Sequence, residues 1–342
     1  MAITRRMLAA GLGAAATLAR PAHANLADLE AAARKEGTLT WYVAQLSGPA
    51  AEAMGKRFTQ RYPGIQVQVI RTTGQVAYER LAQEMKNNTP HCDVYSSTDI
   101  THYDALMRRK ALGRYLPTNV GELAPAYAGL GEPGYYYPTT GSLHVIVYQN
   151  VKLTGAEVPT KWADLIDPRF RSRVGIAHPA FSGYFGQWVL ALKRLYGWQY
   201  FEKLAANRPR IGRSGNDPIT SINAGECVIG TGPVSTALQN SQRGNPIGFV
   251  YPEEGALLNV GPSAVMAAAP HPNAARLFLE WLLSKDYAEA SAEWFQEPVR
   301  ADAEPIKGSK PLSQVKTITV TAAEIAKGLT EAVEQWRDTF GN

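Results

Sequence analysis

The residues best equipped for chemistry in this chain are short polar clusters that follow apolar runs. Gln45 and Ser47 follow Thr38 to Val43, Thr72 and Thr73 follow the alternating Ile65, Val67 and Val69, and Ser97 and Thr98 follow Asp93 to Tyr95. Further along, Ser182 and Gly183 stand in a loop from Pro179 to Gly186. Arg213 and Ser214 lead into Gly215-Asn216, Ser235 and Thr236 follow Pro233, and Tyr251 precedes Pro252. Neutral hydroxyls, backbone N–H groups at helix starts and a guanidinium fork are the means of holding an anion. Each also has a plainer use. Serine and threonine cap helices, Arg213 suits a solvated turn, and Tyr251 suits packing at a hinge as well as covering a ligand face.

Catalytic equipment is missing from the same inventory. The chain holds no G-x-S-x-G elbow, no phosphate-binding G-x-x-x-x-G-K-[ST] loop and no H-E-x-x-H. Glu253 and Glu254 are neighbours, so on an extended chain they point to opposite faces and read as a charged turn. The six histidines are isolated from one another, and no metal-ligand spacing of Cys or His occurs. Cys92 and Cys227 sit in apolar, strand-like settings far apart, which points to two buried free thiols rather than a bridge. No enzyme activity, metal or cofactor is expected.

The polar clusters need elements to hold them, and the periodicity supplies these. A helix from Leu26 to Lys35 stops at Gly37, and a strand runs from Thr38 to Val43. A helix with Met54, Phe58 and Tyr62 at four-residue spacing ends at Pro63-Gly64. Another helix carries Leu81 and Met85. The middle of the chain repeats the scheme with strands at Ser142 to Tyr148, Val174 to Ala177, within Gly225 to Gly232, and at Ile247 to Val250. An amphipathic helix opens at Pro272, and the last helix opens with a capping box, Thr321 and Glu324. Strand-loop-helix repetition indicates an α/β protein with mainly parallel sheets, in which ligands bind beyond the carboxyl ends of strands.

The chain has 342 residues, 45% hydrophobic and 19% charged, a globular balance long enough for two domains. Thr4-Arg5-Arg6-Met7-Leu8, an apolar run to Ala19 and Ala22-His23-Ala24 form a twin-arginine export signal with a cleavage site, so residues 1–24 are expected to be removed. That loss takes three arginines and no acid, lowering the formal charge from +5 to +2. No Lys/Arg run marks a nucleic-acid footprint.

Four stretches carry a resemblance. Phe58-x-x-x-Tyr62-Pro63-Gly64-Ile65, Trp162-Ala163-Asp164-Leu165-Ile166-Asp167-Pro168, Ala180-Phe181-Ser182-Gly183, and His271 to Leu282 are similar, in order and spacing, to the solute-binding proteins of ferric-iron and organophosphonate ABC importers. The resemblance implies a type II periplasmic binding protein fold: two α/β lobes, each a mainly parallel sheet flanked by helices, joined by two crossover strands that act as a hinge. It implies lobe 1 at 25–137 plus 251–296 and lobe 2 at 138–250 plus 297–342. It further implies a monomer in the periplasm that delivers a small molecule to an ABC permease and its ATPase subunits, with the Tat translocon expected from the twin-arginine signal as its route of export.

The iron branch of that family holds its metal with a histidine after the first strand and adjacent tyrosines in the second lobe. The matching positions here are Leu46, and Ser235 with Thr236, which are poor ligands for a hard cation. The expected ligand is therefore a small organic anion such as a phosphonate, phosphate ester or carboxylate. The alternative is a ferric species held by a non-standard ligand set.

Overall fold

Gly37 takes a left-handed φ of 71° that only glycine adopts freely, and so separates the first helix, α1 (Leu26–Glu36), from the first strand, β1 (Thr38–Val43). From there a computed structural model describes residues 26–341; the twin-arginine signal and its cleavage site lie outside the described residues. The chain continues through α2 (Gly48–Arg61), β2 (Gln66–Arg71), α3 (Gly74–Asn87), β3 (Val94–Ser96) and α4 (Thr101–Arg108) to a long strand, β4 (Tyr136–Gln149). Next come β5 (Val174–Ala177), α5 (Gly183–Tyr196), α6 (Gln199–Ala206), β6 (Arg210–Gly212), α7 (Asp217–Asn223), β7 (Ile229–Pro233), α8 (Val234–Gln242) and β8 (Ile247–Val250). The second long strand, β9 (Ala256–Val265), leads to α9 (Pro272–Leu282), α10 (Lys285–Ala292), β10 (Thr317–Ile318) and α11 (Ala322–Phe340).

One sheet runs through the molecule in the order β2-β1-β3-β9-β4-β7-β5-β6, with β10 on β9 and β8 on β4. Its two ends are parallel, β2-β1-β3 and β7-β5-β6, as the strand-loop-helix repeats require. Its middle is antiparallel, where β9 and β4 pair with each other and with β3 and β7. Two apolar bodies flank it. The first packs Trp41, Phe58, Phe278 and Trp281, all buried, with ring centroids 4.9–5.7 Å apart. The second packs Trp162, Phe185, Trp188, Phe201 and Trp336 under α11. Buried Asp93 pins the first body by accepting from Thr40 N (2.8 Å), His271 N (2.6 Å) and, across the ring, His271 Nδ1 (2.9 Å).

β4 and β9 pass from one body to the other. Tyr136 and Tyr137 of β4 face Ala264 and Ser263 of β9 beside the first body, whereas His144 to Tyr148 pair with β7 in the second. Pro138 stands opposite Pro262 where the register shifts between Pro138 and Thr140, as befits a residue with no N–H to give the ladder. Two sequence expectations need correction. The strand expected at Ser142 begins at Tyr136, and β9 carried no periodic signal because Asn259, Gly261 and Pro262 break it up. At the start of β9, Leu257 packs in the second body, while Tyr251, Ala256 and Leu258 pack in a third apolar cluster with Leu143, Val145 and Val147 of β4.

Cys92 and Cys227 are free and buried in different apolar clusters, and burial pushes the Cys227 thiol up to about 11. Among the described residues, no helix is long and apolar enough to cross a membrane.

Candidate functional site

The strands β1, β3, β5 and β7 end on a common rim, and the loops beyond them enclose a cleft between the two bodies. The cleft holds about 600 Å³ counting its open mouth. The first body contributes Gln45, Leu46, Ser47, Arg71 and Thr98; the second contributes Ser142, His144, Ser182, Tyr184, Ser214, Asn216, Ser235 and Thr236. Helix starts converge on it. Ser47 caps α2 by accepting from Ala50 N (3.4 Å), and Ser182 caps α5 by accepting from Phe185 N (3.4 Å). Ser235 and Thr236 lie in the first turn of α8, where Thr236 donates to Asn216 Oδ1 (2.8 Å). The starts of three helices, and with them the positive ends of their dipoles, thus border one volume.

Among the described residues, the cleft is lined by one permanent charge. Arg71 ends β2, donates from Nε to the Leu46 carbonyl (2.9 Å), and has no carboxylate in ion-pair reach among the described residues. Among the described residues, no aspartate or glutamate lines the cleft. At its floor, Gln45 donates from Nε2 to Thr139 Oγ1 (3.1 Å) and Thr140 Oγ1 (2.9 Å) of β4, which fixes the amide. His144 is buried and uncharged, its pKa pushed down to about 3 by desolvation. Burial likewise pushes the Tyr184 phenol well up, so it keeps its proton.

The structure therefore brings together Gln45, Ser47, Thr98, Ser182, Ser214, Ser235 and Thr236 of the residues singled out from sequence. Gly183 stands beside them, where α5 meets the Thr98-Asp99 backbone and a neighbouring cavity opens toward α11. The others fall elsewhere. Arg213 is exposed outside the cleft, its guanidinium 4.8 Å above the Phe181 ring and its backbone N–H bonded to Asp217. Tyr251 bonds Ser309 (2.7 Å), packs against the cluster of Val145, Val147 and Ile247, and is not among the residues that line the cleft. Ser97 turns inward to His102 Nδ1 (3.1 Å). Thr72 and Thr73 lead into α3 without lining the cleft, and Thr73 makes no side-chain cap bond. Glu253 and Glu254 are structural: Glu253 pairs with Lys161 (3.4 Å), and Glu254 accepts from Trp162 N and the Tyr196 hydroxyl.

Sequence reasoning missed Arg71, Ser142, His144 and Tyr184. Arg71 carried a usable signal, because it continues the Val67, Val69 alternation and so shares the face of these partly buried valines at the end of a strand.

Comparison with known proteins bears on what this cleft belongs to. Residues 90–325 match the family model described as bacterial extracellular solute-binding protein. The chain belongs to that family. A relative in Haemophilus influenzae, itself uncharacterized, is 24% identical over 247 residues, 70% of either chain. Iron-bound HitA from Pseudomonas aeruginosa superposes with a TM-score of 0.75 at 22% identity, over 88% of this chain and 99% of that one. AfuA from Actinobacillus pleuropneumoniae, solved with exogenous fructose-6-phosphate, superposes at 0.79 and 21% identity, over 90% and 99%. At such identities these likenesses establish the two-lobed periplasmic-binding-protein fold and leave the solute open. In this solute-binding protein, Leu46, Ser235 and Thr236, which the sequence resemblance aligns with the iron branch's ligands, all line the cleft. Among the described residues, no group of three or more His, Cys, Asp or Glu side chains is placed to hold a metal ion.

Proposed function

We propose that this chain is the periplasmic, monomeric solute-binding subunit of an ABC importer, and that its cleft captures a small organic anion for delivery to a membrane permease and its ATPase subunits. The observation that carries the anion reading is the charge pattern among the described residues: one guanidinium without an ion-pair partner, Arg71, no carboxylate, and three helix starts bordering one volume. A phosphonate, phosphate ester or carboxylate would take the Arg71 fork at the mouth and the Ser47, Ser182 and Ser235 region by hydroxyl and N–H donors. The solute is bound and released unchanged. The two lobes would be those expected from sequence, with the second handover moved into β9 near Asn259, and β4 and β9 would flex as the hinge. Export through the twin-arginine route, with residues 1–24 removed, belongs to the same proposal.

Calorimetric titration of ligand-stripped protein with the bound anion tests the site. Arg71→Ala should weaken binding about 10- to 100-fold, the loss of a charge-assisted bond at ~1.5–3 kcal/mol. Arg213→Ala, outside the cleft, should leave it within about twofold. Equal losses in both variants, or none in Arg71→Ala, would remove Arg71 from the site.

A further inference from the structure

Three side chains at the cleft floor hold hydrogen-bonding atoms with no partner. His144 on β4, 2% exposed, leaves both ring nitrogens unbonded. Tyr184, in the first turn of α5, leaves its hydroxyl unbonded, and Gln45 leaves Oε1 unbonded although its Nε2 is used twice. Gly261 makes room for the last two: a Cβ there would fall 2.7 Å from the Tyr184 hydroxyl and against Gln45 Oε1. Gly215 does the same at His144, where a Cβ would stand 3.4 Å from Cε1. Buried polar groups are almost always partnered. Three without partners, lining one cavity and drawn from both lobes, indicate that something else completes them.

The chemistry of the set narrows what that is. A neutral imidazole offers one donor and one acceptor, the phenol donates, and a glutamine Oε1 only accepts. His144 is kept neutral by burial, with no carboxylate in the cleft and Phe185 packed edge-on at 6.4 Å. A bare anionic group satisfies donors only, and would strand Gln45 Oε1 and one nitrogen of His144. A hydroxyl both donates and accepts: it can accept from the Tyr184 phenol and the His144 N–H and give its one proton to Gln45 Oε1, meeting three of the four needs where a bare anion meets two.

We propose that His144, Tyr184 and Gln45 form a specificity-determining subsite that reads a hydroxyl of the bound solute, so that the ligand is a hydroxylated organic anion with its charge at Arg71 and its hydroxyl at the floor. This rests on the anion reading above and adds the second half of the ligand. A site built to bond a hydroxyl discriminates strongly against the analogue lacking it, because its own buried groups are then left unpaired.

Matched pairs test it: glycerol 3-phosphate against propyl phosphate, 2-hydroxyethylphosphonate against ethylphosphonate, and malate against succinate, titrated calorimetrically into ligand-stripped protein. In the pair that binds, the hydroxylated member should be tighter by about 10²-fold or more. Tyr184→Phe, which removes one oxygen and keeps the ring, should reduce that ratio at least about tenfold, by weakening the hydroxylated member and relieving the unpaired hydroxyl that penalises the deoxy member. His144→Phe should do the same, with His144→Gln restoring part of the ratio through its amide donor and acceptor. Equal affinities within every binding pair would overturn the subsite and leave the anion reading standing. An undiminished ratio in both Tyr184→Phe and His144→Phe would overturn the assignment to these residues. No binding by any of the six would overturn the anion reading and the subsite together.

Discussion

Gly183 is the first residue of α5, and it lies where that helix meets the opposite lobe. An added Cβ would stand 2.5 Å from the Thr98 carbonyl oxygen, 2.8 Å from its carbon and 2.9 Å from Asp99 Cα. All three are backbone atoms, which cannot swing aside as a side chain would. The φ of Gly183 is not left-handed, so alanine is acceptable to the helix itself. Gly183→Ala therefore penalises only the arrangement in which the lobes touch. Overpacking of this kind costs ~1–3 kcal/mol, which weakens ligand binding about 5- to 150-fold at 1.4 kcal/mol per decade. The unliganded protein should keep or slightly raise its melting temperature, since alanine is the better helix former. Calorimetry gives the affinity, and small-angle scattering with and without ligand gives the closure. Wild-type affinity together with a wild-type contraction on binding would refute the reasoning.

Other outcomes follow from the same geometry. Glu297, 7% exposed at the end of its lobe contact with Gly141, has its carboxyl pushed from the usual 4.5 up to about 7 by burial. Because the folded pKa is raised, stability is full below pH 4.5 and declines as pH rises toward 7, by about 3 kcal/mol in all. Glu297→Gln should flatten that decline, so urea midpoints at pH 4 and pH 8 should converge in the variant; a slope equal to wild type would exclude Glu297 as the cause. Asp93→Ala strands Thr40 N and both His271 donors and should cost about 3–5 kcal/mol in urea unfolding. A loss under ~1 kcal/mol would mean that water replaces the carboxylate there.

The sequence reveals elements where periodicity is strong, and hides them where the chain crosses between lobes. Met54 and Phe58 on α2, and Phe278 and Leu282 on α9, sit on buried faces as their spacing requires. β9 was illegible because Asn259, Gly261, Pro262 and Ser263 read locally as a loop, and only pairing on both sides with β3 and β4 makes them strand. In the cleft, Ser47 and Ser182 were visible because a capping serine before a helix is a local signal. His144 was not, since within the apolar run of β4 nothing local says which face meets the cleft. Arg213, in a turn conspicuous in sequence for the glycine and asparagine that follow, is not among the residues that line the cleft. That turn instead spends its backbone N–H groups on Asp217 and lays the guanidinium on Phe181.

The central claim is that the cleft holds an organic anion. The most direct test is a thermal-shift panel on mature, ligand-stripped protein, with phosphonates, phosphate esters and carboxylates, and with citrate alone and with ferric iron. At ~100 times its dissociation constant a ligand adds about 2.7 kcal/mol, a rise of roughly 5 °C for a chain of this length. The account predicts such a rise with one class of organic anion in a colourless solution, largely lost in Arg71→Ala. A rise only with ferric iron, accompanied by visible absorption from phenolate coordination, would contradict it.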